Sequence, residues 1–332
     1  MKTKNYNIMK KAFLLIASAA ILFAGCKKEQ PLASDGETTV VTVCAGLEGA
    51  ATKAADDLDG NAAKVNHWVF EVLDANGKLF YREVSTPEAG TKSQTYNISL
   101  IKNQDYDLLF WADNSEGFYK TDNLKEVSLV MEDGFYEANR DSRDAFCAHK
   151  KCKADGSAIS VKLTRPFAQI NLITTDLADL WTQAEKSGDQ ESVYASNKPV
   201  DFVAKIKVPT TFNVLTESYV KSSEEFVVMK ADNCYVAYKE DLITAQDKTN
   251  YLLHTNPATL YMDYIFATSG EEADVVKIDF SFKSNSKAVN YTFSNIPVKA
   301  NYRTNIKGQL MSNDTRITVT IDPTWADPDY NK

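Results

Sequence analysis

Three side chains able to bind a soft metal or form a disulfide fall within six positions in "FCAHKKC": Cys147, His149 and Cys152. Two thiolates and an imidazole are three of the four ligands that close a structural zinc site. The remaining donors, Cys44, Cys234, His67 and His254, are remote in sequence, so the fourth ligand has no local source. In an oxidising compartment the bland readings are a Cys147–Cys152 disulfide or two buried, unpaired thiols, and these are preferred to a metal. "DDLDGN", from Asp56, resembles the start of a calcium loop but lacks the later glutamate, and reads as a solvated acidic loop.

Catalytic patterns are missing from the chain. It has no G-x-S-x-G, no H-E-x-x-H, no P-loop and no G-x-G-x-x-G opening a helix. Three histidines leave acid–base chemistry to carboxylates, and 45 acidic residues do not resolve into a pair without coordinates. His67 alternates away from Trp68 and His254 sits near a turn, which suits solvent-facing positions better than catalysis. The expectation is a protein with no catalytic residues, no metal and no cofactor.

The fifth cysteine has a different setting. Lys2, Lys4, Lys10 and Lys11 precede an uncharged apolar run, Ala12 to Ala24, and small Ala24 and Gly25 precede Cys26. That is the layout of an export signal too short to span a bilayer. "FAGC" resembles the bacterial lipobox, in which cleavage before the cysteine leaves a thiol that carries a diacylglycerol; the lipobox usually has an aliphatic residue where this chain has Phe23. The alternative is an ordinary cleaved signal with a coincidental cysteine. No later run reaches the roughly 18 continuous apolar residues of a membrane helix. Residues 1–25 are therefore read as signal and 26–37, "CKKEQPLASDGE", as a polar tether behind a lipid on Cys26. Without the four leader lysines the formal charge moves from −8 to −12, and no basic stripe follows a phosphate backbone, so nucleic acid is not an expected partner.

These residues are positioned by a chain that reads mostly as strands. A length of 332 residues, 44% of them apolar, suits two β-rich domains with packed cores. "TTVVTVCA", from Thr38, alternates; "VNHWVFEVL" puts Trp68, Phe70 and Val72 on one face; "DANG" is turn chemistry; "KLFYREV" returns as a hairpin with one face buried. "TYNISLI", "YDLLFWA" and "ISVKLTRPFAQINLIT" follow. Pro166 inside the last cannot donate to a ladder and predicts an edge, a bulge or a change of partner there. Thr175 is a helix N-cap candidate, with Leu177, Leu180, Trp181 and Ala184 on one face. The boundary is placed before that helix, giving domains 38–174 and 175–332. "VDFVAKIKV", "EFVVMKA", "LYMDYIFATSG", "VVKIDFSF", "AVNYTF" and "TRITVTID" supply the second set of strands. "YDLLFWADNSEG" and "YMDYIFATSGEE" share a rhythm that either a duplication or two converging buried strands would produce.

The lipobox, "YDLLFWADN" from Tyr106, "LTRPFAQINL" from Leu163, "YMDYIFA" from Tyr261 and "IPVKANYRTNIKGQL" running into "ITVTIDPTW" together resemble the fimbrillin-like lipoproteins of Gram-negative anaerobes. The resemblance covers nearly the whole mature chain. It implies an all-β protein of two tandem transthyretin-like β-sandwich domains, here with one short helix near the domain boundary. It further implies an outer-membrane, lipid-anchored pilus subunit, anchor or adhesin whose partners are other pilus subunits or cell-surface proteins. In that family a protease removes the N-terminal segment with its first strand, and a strand from another subunit fills the groove. On this chain the removed strand would be "TTVVTVCAG", with Val41, Val43 and Ala45 on one face. The family is cut after arginine; the first arginine here is Arg82, so Lys53 is the candidate for proteolytic processing. "TRITVTID" alternates Ile317, Val319 and Ile321 and stops at Pro323, which marks either a donor strand or the last strand of its own sandwich. The competing function is surface glycan binding, for which 16 Tyr and 4 Trp are raw material.

Overall fold

The computed structural model describes residues 36–47, 62–131, 134–176, 199–220, 227–233, 258–270, 272–284, 287–311 and 317–322. Cys26, Lys53, "DDLDGN", Cys234, His254 and the helix expected after Thr175 lie outside the described residues.

The first sandwich faces a three-stranded sheet against a four-stranded one. β1 (Thr38–Leu47) lies between β4 (Ser93–Ile101) and β10 (Ile159–Leu163). The opposing sheet runs β3 (Leu79–Ser85), β2 (His67–Leu73), β5 (Asp105–Asp113), β9 (Phe146–Lys153). Strict alternation in β4 turns Tyr96, Ile98 and Leu100 inward and leaves the intervening polar residues in solvent. Phe70 of β2 is the centre of the core, with ring centroids 4.6 Å from Tyr96 and 4.8 Å from Phe110. The expected β2–β3 hairpin forms: Asp74 Oδ1 accepts from the backbone N–H of Asn76 and Lys78, both at 2.9 Å, and Gly77 takes the positive φ of 73° that the turn needs.

One expectation about that hairpin is corrected. β2 is buried on both faces rather than one: Trp68, Phe70 and Val72 face the first core, while Val69 and Leu73 belong to a second. β5 does the same, with Leu108 and Phe110 on one side and Leu109 and Trp111 on the other. A sheet covered on both faces needs near-continuous apolar strands, which is why "YDLLFWA" does not alternate.

What covers the second face is an excursion between β5 and β9 together with the second sandwich. The excursion carries β6 (Tyr119–Lys120), a 3-10 turn at Leu124–Glu126, β7 (Val127–Leu129), β8 (Tyr136–Glu137) and a 3-10 turn at Asp141–Arg143. In the second sandwich, β16 (Ala258–Phe266), β11 (Phe167–Thr174), β19 (Arg303–Gly308) and β20 (Ile317–Asp322) form one sheet in that order. β18 (Lys287–Val298), β17 (Asp274–Ser284), β12 (Val200–Ile206), β15 (Val227–Asn233) and β8 form the other. β13 (Thr211–Asn213) pairs with β7 and with β14 (Ser218–Tyr219). An aromatic seam joins the halves: Trp111, Tyr119, Phe167, Phe266 and Phe212 follow one another with centroid separations of 5.3, 5.6, 4.8 and 5.3 Å.

The chain changes sheets ahead of the 174/175 boundary expected from the sequence. β10 ends at Leu163, Pro166 interrupts the ladder as expected, and β11 resumes in the other sandwich, so the crossover lies at Thr164–Pro166. Because β8 pairs with β15, residues of the first stretch also complete the second sandwich. The shared rhythm of "YDLLFWA" and "YMDYIFA" does not mark equivalent positions either. β5 is central in its sheet and β16 is an edge. That edge is covered by Asn139, whose backbone N–H donates to the Met262 carbonyl (3.0 Å) and whose Oδ1 accepts from the Met262 N–H (2.8 Å).

Candidate strand-exchange site

β1 is seated by two ladders. Residues Thr38–Gly46 pair antiparallel with β4, and Val43–Leu47 pair in parallel with β10. Alternation sends Val41, Val43 and Ala45 into the core opposite Ile98, Tyr96 and Val161, while Val40, Thr42 and Cys44 face out. Burying each valine is worth about 1.5–3 kcal/mol, so β1 acts as the plug of the first sandwich. Its ends are tied by backbone bonds from Lys102 N–H to Glu37 O (2.8 Å) and from Leu47 N–H to Lys92 O (3.0 Å). The β10 ladder starts opposite Val43, so among the described residues the earlier half of β1 has no strand paired on that side, and Val40 is 57% exposed. Lifting β1 out would leave the β4 and β10 edges facing each other over an apolar groove.

β20, the other sequence candidate, is the last strand of its own sheet. Among the described residues it pairs, antiparallel, with β19 alone, with Ile317, Val319 and Ile321 opposite Gly308, Ile306 and Thr304. Ile317 packs partly against the second core, Ile321 is half-buried, and Val319 is 38% exposed. This is a shallow hold on the molecule compared with that of β1.

A Cys147–Cys152 disulfide is ruled out by strand geometry, and both thiols are free. Five residues of extended chain separate the two Cα atoms by about 16 Å, against the roughly 4.4–6.8 Å that a disulfide spans. The odd spacing also points them to opposite faces: Cys147 joins the second core and Cys152 packs on the first. Burial pushes the Cys147 thiol well above its ordinary range, and burial with nearby Asp105 and Asp107 pushes Cys152 up to about 11. Iodoacetamide at neutral pH is therefore expected to label exposed Cys44 first, Cys152 slowly and Cys147 only after unfolding, with peptide mapping as the readout. His149 is bound to Asp107 (2.6 Å), and among the described residues no three His, Cys, Asp or Glu side chains are placed to hold a metal.

Sequence reasoning missed the buried charges at the junction. Arg165, next to the crossover proline, donates from Nε and Nη2 to Asp144 Oδ1 (2.7 Å) and Oδ2 (2.9 Å), and the pair is fully enclosed. Arg143 donates to the Glu137 carbonyl (2.7 Å), stacks on Tyr136 and lies 4.0 Å from Asp263. Desolvation raises the Asp263 carboxyl to about 7 against the pull of Arg143 and the Tyr264 N–H. Half-exposed His67 bonds buried Asp113 (2.5 Å). Both arginines are buried: the Arg165–Asp144 pair ties the crossover to the excursion, and Arg143 brings the excursion against Asp263 of β16. The signal was present in "RDSRDAF" and "LTRPF", but charge there looks like surface until the chain is folded. Most described aromatic side chains pack in the cores: Trp68 and Trp111 are fully buried, and no large aromatic is among the exposed apolar side chains of the described residues.

Residues 34–332 match the model of a family of unknown function, DUF6562. No curated protein matches the chain. Among solved structures, a candidate polysaccharide-binding protein of Bacteroides thetaiotaomicron is similar at 13% identity and a TM-score of 0.49, covering 85% of this chain and 96% of that one. The tip fimbrial protein Mfa3 of Porphyromonas gingivalis is similar at 10% identity and a TM-score of 0.46, covering 86% and 99%. The fimbrial anchor protein Mfa2 of the same species gives 11% and 0.42, covering 81% and 90%. All three scores fall below 0.5, so each is a loose likeness and nothing more.

Proposed function

We propose that this chain, which belongs to the DUF6562 family and takes no activity from that membership, is a lipid-anchored surface protein of the fimbrillin-like kind that assembles by exchange of its first strand. The observation that carries the reading is the seat of β1: central in its sheet, between β4 and β10, and plugging the core with three small apolar side chains. Cys26 would carry the lipid and cleavage at Lys53 would free β1 together with it. The open seat would then accept an extended segment by β-strand addition, with backbone bonds forming the ladder and alternate side chains giving selectivity. Contact with other subunits or cell-surface proteins, rather than catalysis, would be the activity.

The seat of β1 also suggests which segment would fit. A donor should present small apolar residues at the places of Val41, Val43 and Ala45. If β20 of another copy were the donor, Val319 would match, Ile317 would add one methylene, and Ile321 would overfill the seat of Ala45. Full-length protein cut at Lys53 and incubated with labelled peptides is expected to take up residues 38–47 into a complex that survives SDS without heating. A 315–322 peptide should bind less well unless Ile321 is replaced by alanine. Uncut protein should take up neither. Failure of the cut chain to bind any of these peptides would sink the strand-exchange reading.

A further inference from the structure

A cleft of about 340 Å³ opens beside the junction, between the turn at Glu116–Phe118, β8 and β15. Half-buried Phe118 and Phe135 line it, with the Lys230 ammonium 4.3 Å from the Phe135 ring centre. Glu116 and Asp232 are exposed carboxylates on its rim, and Glu137 there is tied to Arg140 at 2.7 Å. Buried Arg143 closes the floor, 5.4 Å from the Phe118 ring, and its Nε finds no acceptor among the described residues.

We propose that this cleft binds a neutral pyranose sugar. Its size, at the low end of ligand pockets, has room for about one or two sugar rings and excludes a folded segment. Aromatic rings accept the C–H faces of a pyranose, and carboxylates beside an ammonium accept from and donate to its hydroxyls. The lining balances Lys230 and Arg143 against acidic neighbours, so an anionic ligand would meet Glu116 and Asp232 without a surplus of positive charge. A purely apolar ligand would leave the same carboxylates desolvated and unpaired. The site lies on the excursion and the second sandwich, away from β1, so it serves the uncut chain as well as an assembled one.

The test uses the uncut mature chain and saturation-transfer NMR with methyl glucoside, galactoside and mannoside, methyl glucuronide and an acidic tetrapeptide. At least one neutral glycoside should bind saturably in the millimolar range. Phe118→Ala with Phe135→Ala should weaken it about tenfold or more. Lys230→Met, on the exposed rim, should weaken it severalfold with an unchanged melting curve, while Lys277→Met on distant β17 should change nothing. The proposal is overturned if no neutral glycoside saturates, if only the glucuronide or the peptide binds, or if binding survives the Lys230 and phenylalanine substitutions.

Discussion

Replacing Arg165 with methionine is expected to destabilise the protein by about 3–5 kcal/mol, read as a lowered urea midpoint. The variant leaves Asp144 enclosed with its two guanidinium bonds gone, and an uncompensated buried carboxylate is among the costliest defects a core can carry. The double variant Arg165→Met/Asp144→Leu should recover most of the loss, since removing both charges removes the desolvation penalty as well. Arg165 precedes the proline at which the chain leaves one sandwich for the other, so the single variant should also split unfolding into two transitions. A cost below about 1 kcal/mol would mean that the pair is surface-like and does not fasten the junction.

The second large effect is a dependence on pH. The Asp263 carboxyl titrates near 7 in the folded protein and near 3.8 when free, so between those values the folded state binds the extra proton. Its contribution is therefore fully present below about pH 3.8 and is lost as the pH rises through about 7; the shift of roughly three pH units corresponds to about 4 kcal/mol. Desolvation moves buried Asp113 and Glu71 upward as well, so they act in the same direction. Urea stability should fall from pH 5 to pH 8, and Asp263→Asn should flatten that slope. A slope unchanged in the variant would assign the titration to another group.

Much of the strand content is legible without coordinates because it is local. Alternation in "TTVVTVCA" and "TYNISLI" forecasts which side chains point inward, and Val41, Val43, Ala45, Tyr96, Ile98 and Leu100 do so. The turn at Asp74–Gly77 and the break at Pro166 follow from one or two residues whose backbone chemistry allows little else. The all-β class follows from the same signals. Pro166 reports that a ladder stops but not which sheet the chain enters next, and that change of sheet is a matter of tertiary pairing.

The candidate site divides along the same line. Composition and spacing brought Cys147 and Cys152 together on paper, yet one extended strand holds them apart and turns them to different cores. Arg143, Arg165, Asp144 and Asp263 carry no periodic signature, and become a buried network only when residues more than a hundred positions apart in the chain close over them. By itself, then, the sequence determined most of the strands, the inward faces of those that alternate and the turns between them, all set by interactions within a few residues. Only the tertiary structure decided that β1 is a central plug, that the β2–β5 sheet is buried on both sides, and that a cleft forms beside β8 and β15. Those depend on which distant strands pair, and pairing is chosen by the burial of whole faces rather than by any local pattern.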